Sequence, residues 1–180
     1  MLLLGDIGNT ETKICLVSLN KKIIKKITFS SKNITNEKLK KNLKKLKLKN
    51  LSLEKCLFCS VVPKTFKIIK KHITRYFKVE CFELKDLKIN KLIKIKVNKK
   101  QIGSDRLANA IGSMNNKDNF IILDFGTATT FDVLVKNVYL GGIISPGIKL
   151  SLYTLISNAS LIPNLKLKKI KKVIGSDTVN

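Results

Sequence analysis

The chain has 180 residues, 44% apolar and 27% charged, enough for one ordinary domain or two small ones around a hydrophobic core and outside the composition of disordered or fibrous chains. No apolar run approaches the ~18 residues of a membrane span, the opening Met1–Leu4 run is too short for the apolar part of an export signal, and four cysteines are too few for a disulfide scaffold; the expectation is reduced thiols in a cytoplasmic protein with no membrane partner. The net charge of +24 would by itself suggest a nucleic-acid binder. Yet 34 of the 36 basic residues are Lys, and only Arg75 and Arg106 supply the planar fork that groove readers and phosphate clamps favour. The excess therefore reads as a compositional drift, and no nucleic-acid partner is expected. It is also uneven. From Gln101 to Ser160 four bases (Arg106, Lys117, Lys136, Lys149) balance four acids (Asp105, Asp118, Asp124, Asp132).

In chain order, residues 2–7 read as a buried strand ending at Gly8-Asn9-Thr10, followed by strands over 12–19 and 22–29 with Asn20-Lys21 as a hairpin turn. Leu39, Leu43 and Leu46 recur at helical spacing among lysines, giving an amphipathic helix over 36–48. Residues 56–62 form a short apolar run suited to a buried strand. Pro63 then suits the first turn of a helix through Phe77, and a strand near 78–83 follows. Residues 85–100 are weakly patterned and read as a connection with some strand. A helix is expected over 104–115, a buried strand over 120–124, a strand pair over 129–135 and 138–144, and a last helix from Pro146-Gly147 to about Ile156.

One pattern recurs: an apolar strand, Asp, any residue, Gly, then Asn-Thr or Thr. It occurs as Asp6-Ile7-Gly8-Asn9-Thr10 and as Asp124-Phe125-Gly126-Thr127. The Gly lets the backbone turn sharply and approach a phosphate. The following N–H groups and hydroxyls can cradle its oxygens, and the Asp offers a carboxylate to a hydrated cation. A single turn of this kind is often a plain hairpin, but two in matching strand contexts point to phosphate handling by two related half-domains. In Gly103-Ser104-Asp105-Arg106 the acid can be a simple charge complement at a helix start. It can also accept a proton from a hydroxyl that attacks a phosphoryl group, with the scarce Arg beside it gripping a carboxylate.

Together, Asp6-Ile-Gly-Asn-Thr10, Ser60-Val-Val-Pro63, Gly103-Ser-Asp-Arg-Leu-Ala-Asn-Ala110, Asp124-Phe-Gly-Thr-Ala-Thr-Thr130 and Gly141-Gly-Ile-Ile-Ser-Pro-Gly147 resemble, in order and across essentially the whole chain, the type III pantothenate kinases. The resemblance implies an α/β protein of two ribonuclease-H-like (actin-like ATPase) half-domains with mixed sheets, residues 1–115 and 116–180. It implies ATP-dependent phosphorylation of pantothenate, the first step of coenzyme A synthesis, by a homodimer using Mg²⁺ and a monovalent cation, K⁺ or NH₄⁺. Carried over, Asp6, Ile7, Gly8, Asn9, Thr10, Glu11, Thr12 and Lys13 form the first phosphate loop. Thr127 binds ATP phosphate, and Asp124 holds the monovalent cation. Gly103, Ser104, Asp105 and Arg106 contact pantothenate, with Arg106 on its carboxylate and Asp105 as general base. Thr178 reaches substrate across the dimer interface.

The sequence departs from the family pattern at Lys96 and Lys99, which stand where a Tyr and a Pro are usual. The family also continues past the position of Thr178, so the second half-domain is expected to be incomplete, with an uncovered sheet face. Cys56-x-x-Cys59 lacks a second ligand pair for zinc and reads as core thiols. His72, the sole histidine, reads as solvated among lysines. The competing reading is a non-catalytic relative acting as an accessory regulatory or nucleic-acid-binding factor.

Overall fold

The computed structural model describes residues 1–48, 51–168, 174–175 and 177. Its first sheet is built on β1 (Leu2–Ile7), whose apolar run lies mid-sheet between β2 (Glu11–Val17) and β4 (Lys55–Ser60). With β3 (Ile23–Ser30) and β5 (Cys81–Glu83) the order is β3-β2-β1-β4-β5. β1, β4 and β5 run parallel, and β2 runs antiparallel to both β1 and β3. This is the mixed ribonuclease-H-like arrangement expected.

Helix α1 (Asn36–Lys44) starts at Thr35, whose hydroxyl accepts the Lys38 N–H at 3.2 Å, a side-chain cap. It stops short of residue 48 because Leu46 and Leu48, two apart, are both buried, and positions two apart do not share a helix face. Helix α2 (Pro63–Phe77) opens on its proline and buries Phe66, Ile69 and Ile73. These join Leu3, Ile7, Ile14, Leu39 and Phe58 in the first core.

His72 is 8% exposed, not solvated. It follows Ile69 by three positions and so falls on the apolar stripe of α2, where its ring lies 4.4 Å from that of Tyr76. Helical phase, not the lysines adjacent in sequence, decides its environment. Burial, and then the charge of Lys40, lower its pKa.

The second sheet has the order β6-β9-β8-β7, with β6 (Lys94–Ile95), β7 (Asn119–Phe125), β8 (Ala128–Val135) and β9 (Val138–Pro146). β7, β8 and β9 are antiparallel neighbours, and β6 runs parallel to β9. Helix α3 (Ser104–Ser113) covers one face with Leu107 and Ala110, which meet Leu134, Tyr139, Ile89, Ile93 and Ile102 in a second core. Leu84, Ile89 and Ile93, ahead of α3 in the chain, also bury themselves in this second core. The other face is open: Ile121, Leu123 and Phe125 of β7 and Ile143 of β9 are exposed. Helix α4 (Ile148–Asn158) has no buried residue. No helix among the described residues is long and apolar enough to cross a membrane.

Glu83 joins the two cores. From the end of β5 its carboxylate accepts the backbone N–H groups of Ser60 (3.3 Å) and Lys85 (2.7 Å) and the hydroxyl of Ser104 at the start of α3.

Two stability predictions follow from these contacts. Glu83→Ala should lower unfolding free energy by about 1–3 kcal/mol, since it orphans several donors at once, with Glu83→Gln milder, as read by urea denaturation. Because the His72 pKa is lowered in the folded chain, the unfolded chain takes up its proton first. Its contribution is then complete above about pH 6.5 and falls as pH drops toward the folded value, by at most ~1.4 kcal/mol per pH unit. Denaturation at pH 7.5 and 5.5 should show this loss, and His72→Gln should remove it.

Candidate active site

The two repeated turns lie at equivalent places in the two sheets, between β1 and β2 and between β7 and β8. In each, the glycine N–H donates to a carbonyl at the start of the next strand: Gly8 to Glu11 at 3.0 Å and Gly126 to Ala128 at 2.9 Å. The turns meet. The hydroxyls of Thr10 and Thr127 are 2.9 Å apart although 117 positions separate them. The second turn is closed from behind by Gly147, whose N–H donates to the Thr127 carbonyl at 3.0 Å. A side chain at Gly147 would lie 2.3 Å from the Gly126 carbonyl oxygen, so only glycine permits this approach.

Three carboxylates converge beside the turns. Asp6, at the end of β1, has a raised pKa: burial is the largest cause, and the charges of Asp105 and Asp124 add to it. Lys13, directly across the strand pair and 3.9 Å from Asp6, pulls the other way, as does the Cys59 thiol. That thiol lies 3.7 Å from Asp6 Oδ1; its own pKa is raised by burial and then by the charges of Asp6 and Asp105. Asp105 sits in the first turn of α3, with Oδ1 accepting the Arg106 N–H at 2.8 Å. Asp124, at the end of β7, is exposed and accepts Asn109 Nδ2 of α3 at 3.0 Å.

Not every residue of the expected phosphate loop has an accessible side chain. Ile7 and Thr12 are fully buried, Thr12 bonded to the Ser31 hydroxyl at 2.8 Å, so only their backbone is offered to a ligand. Asp6, Gly8, Asn9, Thr10, Glu11 and Lys13 are accessible to differing degrees, as is Thr127. Ser104 is buried, its hydroxyl committed to Glu83. Gly103 stands just before α3, where a side chain would collide with Asp105 Oδ1. Thr178 lies outside the described residues. Of the cysteine pair, Cys56 is a buried core thiol, whereas Cys59 is half-buried beside Asp6. No trio of Cys, His, Asp or Glu among the described residues forms a ready metal site.

Four residues at the site escaped the sequence reading: Cys59 as a site residue, Asn109, Glu83 and Asp132. Asp132 is fully buried on β8 and pairs with Arg106, its carboxylate 2.8 and 3.1 Å from Nε and 2.6 Å from Nη2. The available signal was compositional: a rare Arg in a charge-balanced stretch calls for a buried acid, and Asp132 is one of four there.

Comparison with known proteins places the chain in a family. The family model described as type III pantothenate kinase matches residues 2–180. A type III pantothenate kinase of Pelagibacter ubique is 62% identical over 180 residues, covering all of this chain and 73% of its own length. One of Desulforapulum autotrophicum is 32% identical over 188 aligned residues, covering all of this chain and 72% of itself. Among solved structures, the ethanolamine utilization protein EutJ of Carboxydothermus hydrogenoformans superposes with a TM-score of 0.51 at 14% identity, over 86% of this chain and 56% of that one, a likeness of fold alone. The chain belongs to the type III pantothenate kinases.

Proposed function

We propose that the crevice catalyses ATP-dependent phosphorylation of pantothenate to 4'-phosphopantothenate, as the name shared by the relatives indicates. The observation that carries this reading is the meeting of the Gly8-Asn9-Thr10 and Gly126-Thr127 turns, Thr10 hydroxyl to Thr127 hydroxyl, with Asp6, Asp105 and Asp124 near them. That arrangement gives phosphoryl transfer what it chiefly needs, which is positioning and charge compensation.

The residues are assigned as follows. The turn from Asp6 to Lys13, by backbone and accessible side chains, and Thr127 hold the phosphates of ATP, with Lys13 offering a positive charge. Gly103 and Ser104, through their backbone, with Asp105 and Arg106, receive pantothenate, and Arg106 faces its carboxylate. The acceptor hydroxyl oxygen attacks the terminal phosphorus. The bond to the bridging oxygen of ADP breaks, and the hydroxyl proton passes to Asp105.

Asp6, whose pKa is raised chiefly by burial and further by the charges of Asp105 and Asp124, offers a carboxylate that suits a cation. Since the described residues offer no ready metal cluster, Asp6 would hold Mg²⁺ with phosphate oxygens and water, the usual habit of that ion. When bound, Mg²⁺ neutralises the transferring phosphates. Asp124, oriented by Asn109, would hold the monovalent cation, K⁺ or NH₄⁺.

The family resemblance further supports a homodimer, with Thr178 reaching the partner's substrate, and residues 1–115 and 116–180 as the two half-domains. Four free cysteines suit a cytoplasmic setting. The accessory-factor reading is not favoured, since relatives matching the entire chain carry the kinase name.

The test is ATP consumption with and without pantothenate. The wild-type chain should consume ATP only with the acceptor present. Asp105→Asn should cut turnover by roughly 10²–10⁴-fold with an unchanged thermal midpoint. Undiminished turnover in Asp105→Asn would overturn the base assignment.

A further inference from the structure

Arg106 is set into a slot built by β8 and β9. Asp132 on β8 is fully buried; both of its oxygens accept Arg106 Nε, at 2.8 and 3.1 Å, and Oδ1 forms an ion pair with the buried Nη2 at 2.6 Å along one edge of the guanidinium. Tyr139 on β9, 1% exposed, donates its hydroxyl to Asp132 Oδ1 at 2.5 Å. A Cβ on Gly142, the cross-strand neighbour of Asp132, would collide first with the Phe131 carbonyl oxygen at 1.9 Å and would also lie 2.9 Å from Arg106 Nη2.

Tyr139 reaches this face only because of a bulge. Asp132 pairs with Gly142 and Val133 with Gly141, but Leu134 pairs with Tyr139, which leaves Leu140 unpaired. In a regular strand Tyr139, three positions from Gly142, would face away from Asp132. The extra residue turns it inward, and Gly141 takes the positive φ of 104° that the bulge requires. Burial works against the charge on Arg106, but the bonds and charge of Asp132 outweigh it and hold the guanidinium firmly protonated.

We propose that Asp132, seated by Tyr139, is a positioning residue for acceptor recognition: it fixes one edge of the Arg106 guanidinium and so presents the remaining N–H donors to the acceptor's carboxylate beside Asp105. The inference rests on the reading of Arg106 as the acceptor contact. It explains why an arginine stands here in a chain with only one other, Arg75, because a lysine ammonium is a point charge that cannot grip one carboxylate along a planar edge and offer a second edge to another. It also separates the roles of the two neighbouring residues: Asp105 faces the reacting hydroxyl, while Arg106 is held by the sheet that carries the second phosphate turn.

The test is steady-state kinetics and pantothenate calorimetry on the whole 180-residue chain, with wild type, Asp132→Asn, Tyr139→Phe, Arg106→Lys and the double variant Arg106→Lys/Asp132→Asn. Asp132→Asn should raise the pantothenate KM and Kd at least about tenfold while leaving the ATP KM within about twofold, and Tyr139→Phe should raise the pantothenate KM by about two- to fivefold. The double variant should be little worse than Arg106→Lys alone, since the two residues act as a unit. An unchanged pantothenate KM in Asp132→Asn, or equal rises for both substrates, overturns the assignment and leaves a merely structural ion pair. If Asp132→Asn does not fold, Tyr139→Phe decides by the same split. A wild-type chain that neither binds nor phosphorylates pantothenate overturns the reading of the site itself, and this assignment with it.

Discussion

Three like charges come within reach of one another: Asp105 and Asp124 both act on the partly buried Asp6, adding to the effect of its burial. Asp6 ends β1, Asp124 ends β7 and Asp105 opens α3, so three separate elements deliver like charges to one place. Each acid is given a local partner. Lys13 lies across the strand from Asp6, Asn109 donates to Asp124, and the first-turn N–H of Arg106 donates to Asp105. These partners temper the charge without cancelling it. The remaining negative charge suits the cations of the proposed function.

The two sheets supply the frame. A strand, an Asp, a Gly turn and an antiparallel return strand are used in both halves, and the turns touch through Thr10 and Thr127. Glu83 and Asp132 secure the third acid from either side: Glu83 bonds the start of α3 to the ends of β4 and β5, while Asp132 bonds the next residue to β8. Asp105 is therefore placed by both cores rather than by its own helix alone.

Much of this was legible in the sequence because it depends on local pattern. The apolar run of β1, Pro63 at the head of α2, and the repeated Asp-x-Gly turns each announce themselves within a few residues. What escaped reading depends on partners distant in the chain. Glu83 and Ser104, 21 positions apart, meet only through the fold. The bulge that brings Tyr139 to Asp132 reverses the facing that simple strand alternation would assign. His72 was misjudged by its lysine neighbours in sequence, although its helical phase places it in the core. Ile7 and Thr12 fall within the phosphate-loop motif but serve the core, since alternate residues of a strand end face opposite ways.

The central claim, that the three carboxylates share one crevice, is tested most directly by following the Asp6 side-chain carboxyl by NMR through an acid titration, in the wild type and in Asp105→Asn and Asp124→Asn. The account predicts a midpoint above the ordinary Asp value in the wild type and a lower one in each variant, because each substitution removes a neighbouring negative charge. An Asp6 midpoint that is ordinary in the wild type and indifferent to both substitutions would contradict it.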